Sequence, residues 1–154
     1  MPKIELTSAQ AGSGSSYPSP FDEPCRGRSW HRLGAAAGLT HLGVNLVRLA
    51  PGAWSSQRHW HTHEDEFVHV LSGELVLVTD DGEEVLDAGD SAGFPAGVRN
   101  GHCLQNRSTQ DATFLVASNR SDEDGGEYSD IDMVFKPGRY SGGGGYFHKD
   151  GSPY

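Results

Sequence analysis

The chain's chemistry concentrates between Gly52 and Gly73, in the stretch GAWSSQRHWHTHEDEFVHVLSG. Here His59, His61 and His63 fall at every second position. In a β-strand alternate side chains share a face, so this spacing aims the imidazoles in one direction. Glu66 follows three residues later, on the wrong parity for an unbroken strand. The polar run Thr62-His63-Glu64-Asp65 therefore predicts a turn or bulge that resets the alternation. A new strand would open at Glu66, with Val68 and Val70 on the carboxylate's face and Phe67, His69 and Leu71 on the other. Two imidazoles, His59 and His61, meeting the Glu66 carboxylate from a neighbouring strand are the donor set of a divalent metal site. His63 shares the parity of the pair but sits where the turn begins, which suits a substrate-facing catalytic role better than ligation.

Such a cluster needs rigid strands around it, and the sequence supplies them. HLGVNLVRLA is apolar on much of both sides, as in a strand covered on two faces. Leu71-Ser72-Gly73-Glu74 reads as a hairpin turn into ELVLVT, and Asp80-Asp81-Gly82 as a second turn into EEVLDA. SAGF lies between two further turns, HCLQN and ATFLVAS are strands, and DIDMVF is an outlying one. No window carries a sustained helical stripe. Many short strands with Gly and Pro turns predict an all-β sandwich or barrel. Residues 1–38, rich in Gly, Ser, Pro and Ala, read as an extended arm over the surface. Residues 121–154 open with the acidic run Ser121-Asp122-Glu123-Asp124, read as a solvated loop. The four glycines Gly142–Gly145 form a hinge before an unanchored terminus, the alternative being a lid.

The formal charge is −9 over 154 residues, which disfavours nucleic acid and anionic membranes as partners. Two cysteines, Cys25 and Cys103, lie far apart without metal-binding spacing and read as reduced thiols. The first residues lack the pattern of a signal peptide, and no apolar run approaches membrane-spanning length, so a cytoplasmic protein is expected.

Glycine, His-x-His, glutamate and glycine at Gly52, His59, His61, Glu66 and Gly73 together resemble the first motif of the cupin superfamily. GDSAGFPAGVRNGHCLQN resembles the second, with Gly89, Pro95, Gly97, His102 and Asn106 matching. His102 stands two residues later than the usual spacing, where Asn100 falls. His102 is chosen because an imidazole is a good ligand and a neutral amide a poor one. The resemblance covers about residues 40–118 and implies a double-stranded β-helix (jelly-roll) barrel over residues 39–120, with one divalent metal (Zn, Fe, Mn or Ni) held by His59, His61, Glu66 and His102. It also implies a homodimer and a small-molecule substrate or ligand. The leading reading is a metal-dependent isomerase or lyase acting on a sugar-like or hydroxy-acid substrate. An iron-dependent dioxygenase and a non-catalytic ligand-binding or sensor module are the rivals. Arg48, Arg58 and Arg99 are the arginines considered for substrate contact.

Overall fold

The alternation in HLGVNLVRLA is a strand whose Val47 and Leu49 point inward to complete burial, and similar patterns build the rest of the fold. A computed structural model describes residues 3–154. Its strands are β1 (Ala11–Ser13), β2 (Arg28–Arg32), β3 (Leu42–Leu49), β4 (His59–His61), β5 (Glu66–Ser72), β6 (Glu74–Thr79) and β7 (Gly82–Asp87). They continue with β8 (Ser91–Phe94), β9 (Cys103–Gln105), β10 (Ala112–Asn119), β11 (Gly126–Tyr128), β12 (Val134–Phe135) and β13 (Tyr146–Phe147). One helical turn, α1 (Leu33–Ala36), bridges β2 and β3.

These strands form three sheets, ordered β1-β2-β3-β10-β5-β8, β13-β12-β11-β4 and β7-β6-β9. No sheet closes on itself among the described residues. The main core lies between the first and third sheets, where Leu49, Val68, Val70, Leu75, Leu104 and Phe114 pack together. Each such side chain contributes roughly 1.5–3 kcal/mol by leaving water. A smaller core of Tyr128, Met133 and Phe135 packs with Tyr17 and Phe21 and joins the two ends of the chain.

Three expectations change here. Leu71-Ser72-Gly73-Glu74 is not a hairpin, because β5 pairs with β10 and β8 while β6 pairs with β7 and β9. Gly73 is instead a corner between sheets: its φ is +77°, and a Cβ there would stand 2.7 Å from the Asp111 carbonyl oxygen. The N-terminal segment is not merely draped on the surface, since β1 and β2 extend the largest sheet through β3. The C-terminal segment is likewise anchored: β13 pairs with β12, Phe147 bridges to Pro153, and Tyr154 donates its hydroxyl to the Asp132 carbonyl at 2.6 Å. Glycine-rich composition hid hydrogen bonds that depend on distant partners.

Candidate metal centre

His59 and His61 lie on β4, whose sheet partner is β11, with His59 opposite Tyr128 and His61 opposite Gly126. Gly126 is required there, because a Cβ would overlap the Trp60 carbonyl and the Phe135 ring. Thr62 to Asp65 turns the chain, and Glu66 opens β5 with Val68 and Val70 buried on its own face, as the alternation requires. The carboxylate thus faces the two imidazoles.

The two Nε2 atoms of His59 and His61 stand 3.1 Å apart. Glu66 Oε2 is 3.5 Å from His61 Nε2, and its Oε1 is 3.8 Å from His102 Nε2. His59, His61 and Glu66 each offer one donor atom within 4.8 Å of the others. His102 stands beside this trio, with its Nε2 toward the Glu66 carboxylate. Its backbone exchanges hydrogen bonds with that of His59, and its ring stacks on Phe94 at 3.6 Å between centroids. Asn100, the alternative at this position, spends its amide on the β6–β7 turn, bonding the Asp80 N–H and the Asp81 carboxylate.

The donor chemistry fits a divalent ion. Both ring nitrogens of His102 are buried without a hydrogen-bond partner, a condition that costs about 1–3 kcal/mol if left unrelieved. His59 donates its Nδ1–H to the Gln57 carbonyl at 2.9 Å, which places the proton on Nδ1 and leaves Nε2 free to ligate. Burial, together with His61 and His102, pushes His59 down to about 3, keeping it neutral. Burial also disfavours the charged form of His61, but hydrogen bonds to Asp124 and Glu66 outweigh it and raise this group to about 9. Burial alone would raise Glu66, yet the His102 and His61 rings facing its carboxylate hold it well below its ordinary range.

Behind His61 lies a carboxylate that the sequence reading left in solvent. Asp124 is fully buried, and its Oδ2 meets His61 Nδ1 at 2.7 Å. Its Oδ1 accepts the backbone N–H groups of His63 and Glu64 at 2.9 and 3.2 Å. His61, Glu64 and Asp124 also have the spacing of a metal site. Their negative charge is already met: Arg139 donates to Glu64 at 2.5 Å and to Asp124 at 3.3 Å, and the Tyr140 hydroxyl donates to Glu64 at 2.8 Å. This network orients His61 from behind, the familiar carboxylate–histidine arrangement of metal centres.

Above the donors opens a cavity of about 670 Å³, walled by residues of the main sheet, the N-terminal segment and the C-terminal segment. His63 is not among its lining residues. Its ring is exposed, with Nδ1 against Thr62 Oγ1 at 2.9 Å, because the turn that resets parity directs its backbone toward Asp124 and its side chain outward. Arg58 is clamped between Asp80 and Asp130, Arg48 pairs with Asp111, and Arg99 lies over Trp60. The structure brings none of these arginines to the cavity, whose cations are Arg28, Arg32, Arg120, Lys136 and Arg139. Asp124, Glu64 and Arg139 escaped notice because they come from separate segments, and no periodicity links a carboxylate to a histidine sixty-three positions earlier.

The chain belongs to the cupin superfamily. Residues 45–118 match the cupin domain family. A sugar phosphate isomerase from a cupin superfamily in Silicibacter pomeroyi is 49% identical, with 99% of this chain and 96% of that one covered and a TM-score of 0.93. A candidate sugar phosphate isomerase from Acidithiobacillus ferrooxidans is 30% identical over 80% of this chain and 77% of its own, with a TM-score of 0.74. The polyketide cyclase RemF of Streptomyces resistomycificus shares the fold alone, at 19% identity over 77% of this chain and 79% of its own, with a TM-score of 0.63. No curated protein matches the chain. No described helix is long and apolar enough to cross a membrane.

Proposed function

We propose that this protein is a metal-dependent isomerase of a sugar phosphate, holding one divalent ion through His59, His61, Glu66 and His102. The observation that carries the reading is the convergence of these donors on the wall of a cavity large enough for a small sugar. Likeness to the Silicibacter protein supports the reaction class. A bound ion would supply Lewis acidity toward neighbouring carbonyl and hydroxyl oxygens of the substrate. The chain's own groups prepare that site. Asp124 holds the proton on His61 Nδ1, the Gln57 carbonyl holds that of His59, and Phe94 fixes the plane of His102. Tyr128 lies beside His59 and packs on Tyr17 at 5.4 Å, and burial raises both hydroxyls, so these cavity-lining groups are neutral rather than bases. Glu64 is committed to Arg139, Tyr140 and the Ser121 N–H and serves as support.

The test is elemental analysis of untagged protein beside the His59→Ala/His61→Ala double variant, followed by NMR assay of aldose–ketose exchange on phosphorylated sugars. About one equivalent of metal, lost in the variant, with exchange abolished by Glu66→Gln, is expected. Absence of metal even after loading would overturn the catalytic reading and leave a binding module. Iron with oxygen consumption and no exchange would replace it by an oxygenase.

The three sheets form, in this reading, the walls of a small jelly-roll barrel, and the protein acts as a homodimer. The outer face of the largest sheet supports pairing: Leu42 on β3 and Phe67 and Leu71 on β5, the two strands that flank β10, are exposed there. Light scattering should give a dimer that Phe67→Glu splits, and a monomeric wild type would refute it.

A further inference from the structure

The distribution of positive charge singles out one end of the cavity. The chain has twelve lysines and arginines against twenty-one acids. Among the described residues, seven of them pair with a carboxylate: Lys3, Arg26, Arg48, Arg58, Arg107, Arg139 and Lys149. The other five are Arg28, Arg32, Arg99, Arg120 and Lys136, and all but Arg99 line the cavity. In a protein with such an excess of acid, cations without carboxylates should be rare and scattered. Here four are gathered into one cavity.

Their present contacts leave most of their donors open and no carboxylate beside them. Arg28, Arg32 and Arg120 each donate one bond of 3.4 Å to a neutral oxygen, out of five N–H donors apiece. Arg28 Nε is buried with no partner. Arg32, Arg120 and Lys136 otherwise lie over the rings of Trp30, Tyr140 and Phe147. Guanidinium groups left with open donors in a partly enclosed cavity favour a planar or tetrahedral anion held bidentately.

Strand register locates this anion relative to the metal donors. Glu66 pairs with Ser118, and Ser118 pairs with Gly43, so the three lie in one row across the inner face. Gly43 is therefore two strand spacings, about 10 Å, from Glu66. Arg120 Nε reaches this end of the row, 3.7 Å from where a Cβ on Gly43 would stand. Arg32 is opposite Asn45, in the next row on the same strand's other neighbour. Arg120 Nε thus lies at the Gly43 end of the row whose opposite end is Glu66, and Arg32 lies at the same side in the next row, one strand further out, at a separation from the metal donors on the order of a sugar's carbon chain.

We infer that Arg32 and Arg120 form a phosphate subsite, with Arg28 and Lys136 adding positive field, and that it binds the terminal phosphate monoester of the substrate while the sugar's other end reaches the metal donors. This rests on the sugar phosphate reading above and adds to it the residues that select the phosphate. The N-terminal segment, through β2, is then a part of the substrate site.

The test separates binding from turnover. Calorimetry on metal-loaded full-length protein uses inorganic phosphate, a sugar 6-phosphate, its unphosphorylated sugar and the corresponding sugar carboxylate. The sugar phosphate should bind, the free sugar should bind at least about tenfold more weakly, and Arg32→Gln and Arg120→Gln should each weaken the phosphate compound about tenfold or more. Arg99→Gln should leave it unchanged. Inorganic phosphate should still bind the His59→Ala/His61→Ala variant, since the subsite is not the metal. The inference is overturned if both arginine variants bind as wild type, if phosphate binding vanishes with the metal donors, if the carboxylate binds more tightly than the phosphate, or if no phosphate compound binds. Arginine-dependent phosphate binding without any isomerisation would keep the subsite and refute the proposed reaction.

Discussion

Replacing Asp124 by asparagine tests the support behind His61 with little change in shape. In the wild type, Asp124 accepts from His61 Nδ1 at 2.7 Å, which fixes the proton on the nitrogen facing away from Glu66. An asparagine can keep Oδ1 for the His63 and Glu64 N–H groups, but then it presents N–H donors to Nδ1 and drives the proton to Nε2. Loss of such a partner typically costs 10–100-fold in metal affinity, about 1.4–2.7 kcal/mol. Protonation complicates this in a useful way. With His61 raised to about 9 in the metal-free protein, an ion binding at pH 7 must displace a proton at a cost of about 3 kcal/mol. Asp124→Asn removes much of that proton affinity along with the orienting bond. The deficit should therefore be full near pH 9 and shrink toward pH 7, where the easier deprotonation offsets it. Competitive titration of zinc against a chromogenic chelator at several pH values measures this directly. Equal affinities of the two proteins at pH 9, or a deficit independent of pH, would refute the reasoning.

Wild-type protein should release close to one proton per metal bound at pH 7, read as a buffer-dependent binding enthalpy. Independence of the buffer would show that His61 is not protonated beforehand. Cys103 is buried, and burial raises its thiol to about 11, so Cys103 should resist a disulfide reagent at pH 8 until the protein unfolds. Rapid reaction of two thiols in the folded state would contradict the burial of both cysteines. Gly73→Ala combines a φ of +77° with contacts of 2.7–2.9 Å to Asp111 and Ala112. It should lower stability by more than about 1 kcal/mol in urea, and an unchanged midpoint would count against the corner geometry.

The sequence revealed the parts of the site that are local. Alternation placed His59 with His61, and the parity break located the start of β5 at Glu66. What it could not show was governed by distant partners. Asp124 sits in a run of acids that composition assigns to solvent, and only the fold reveals that the run passes behind His61 with Arg139 to balance it. Arg32 and Arg120 lie in segments with no motif, on elements joined through β3. Gly73 looked like a turn because its conformation is that of a turn; which strands it joins depends on partners elsewhere. The chain-terminal segments failed for the same reason, since short Gly-rich strands carry little alternation and owe their order to the sheets they extend.

The pairing of β4 with β11 has a consequence for the order of assembly. The strand that carries both histidines belongs to a sheet whose other members all come from beyond residue 125. Contacts this distant along the chain close slowly, after local hairpins such as β6–β7. During synthesis, β3, β5, β8 and β10 can pair while β4 still lacks its ladder partner. Completion of the candidate metal site would thus come late in the assembly of the protein rather than nucleate it, and a nascent chain ending before Gly126 would have most of its main sheet while the strand carrying His59 and His61 still lacked its ladder partner.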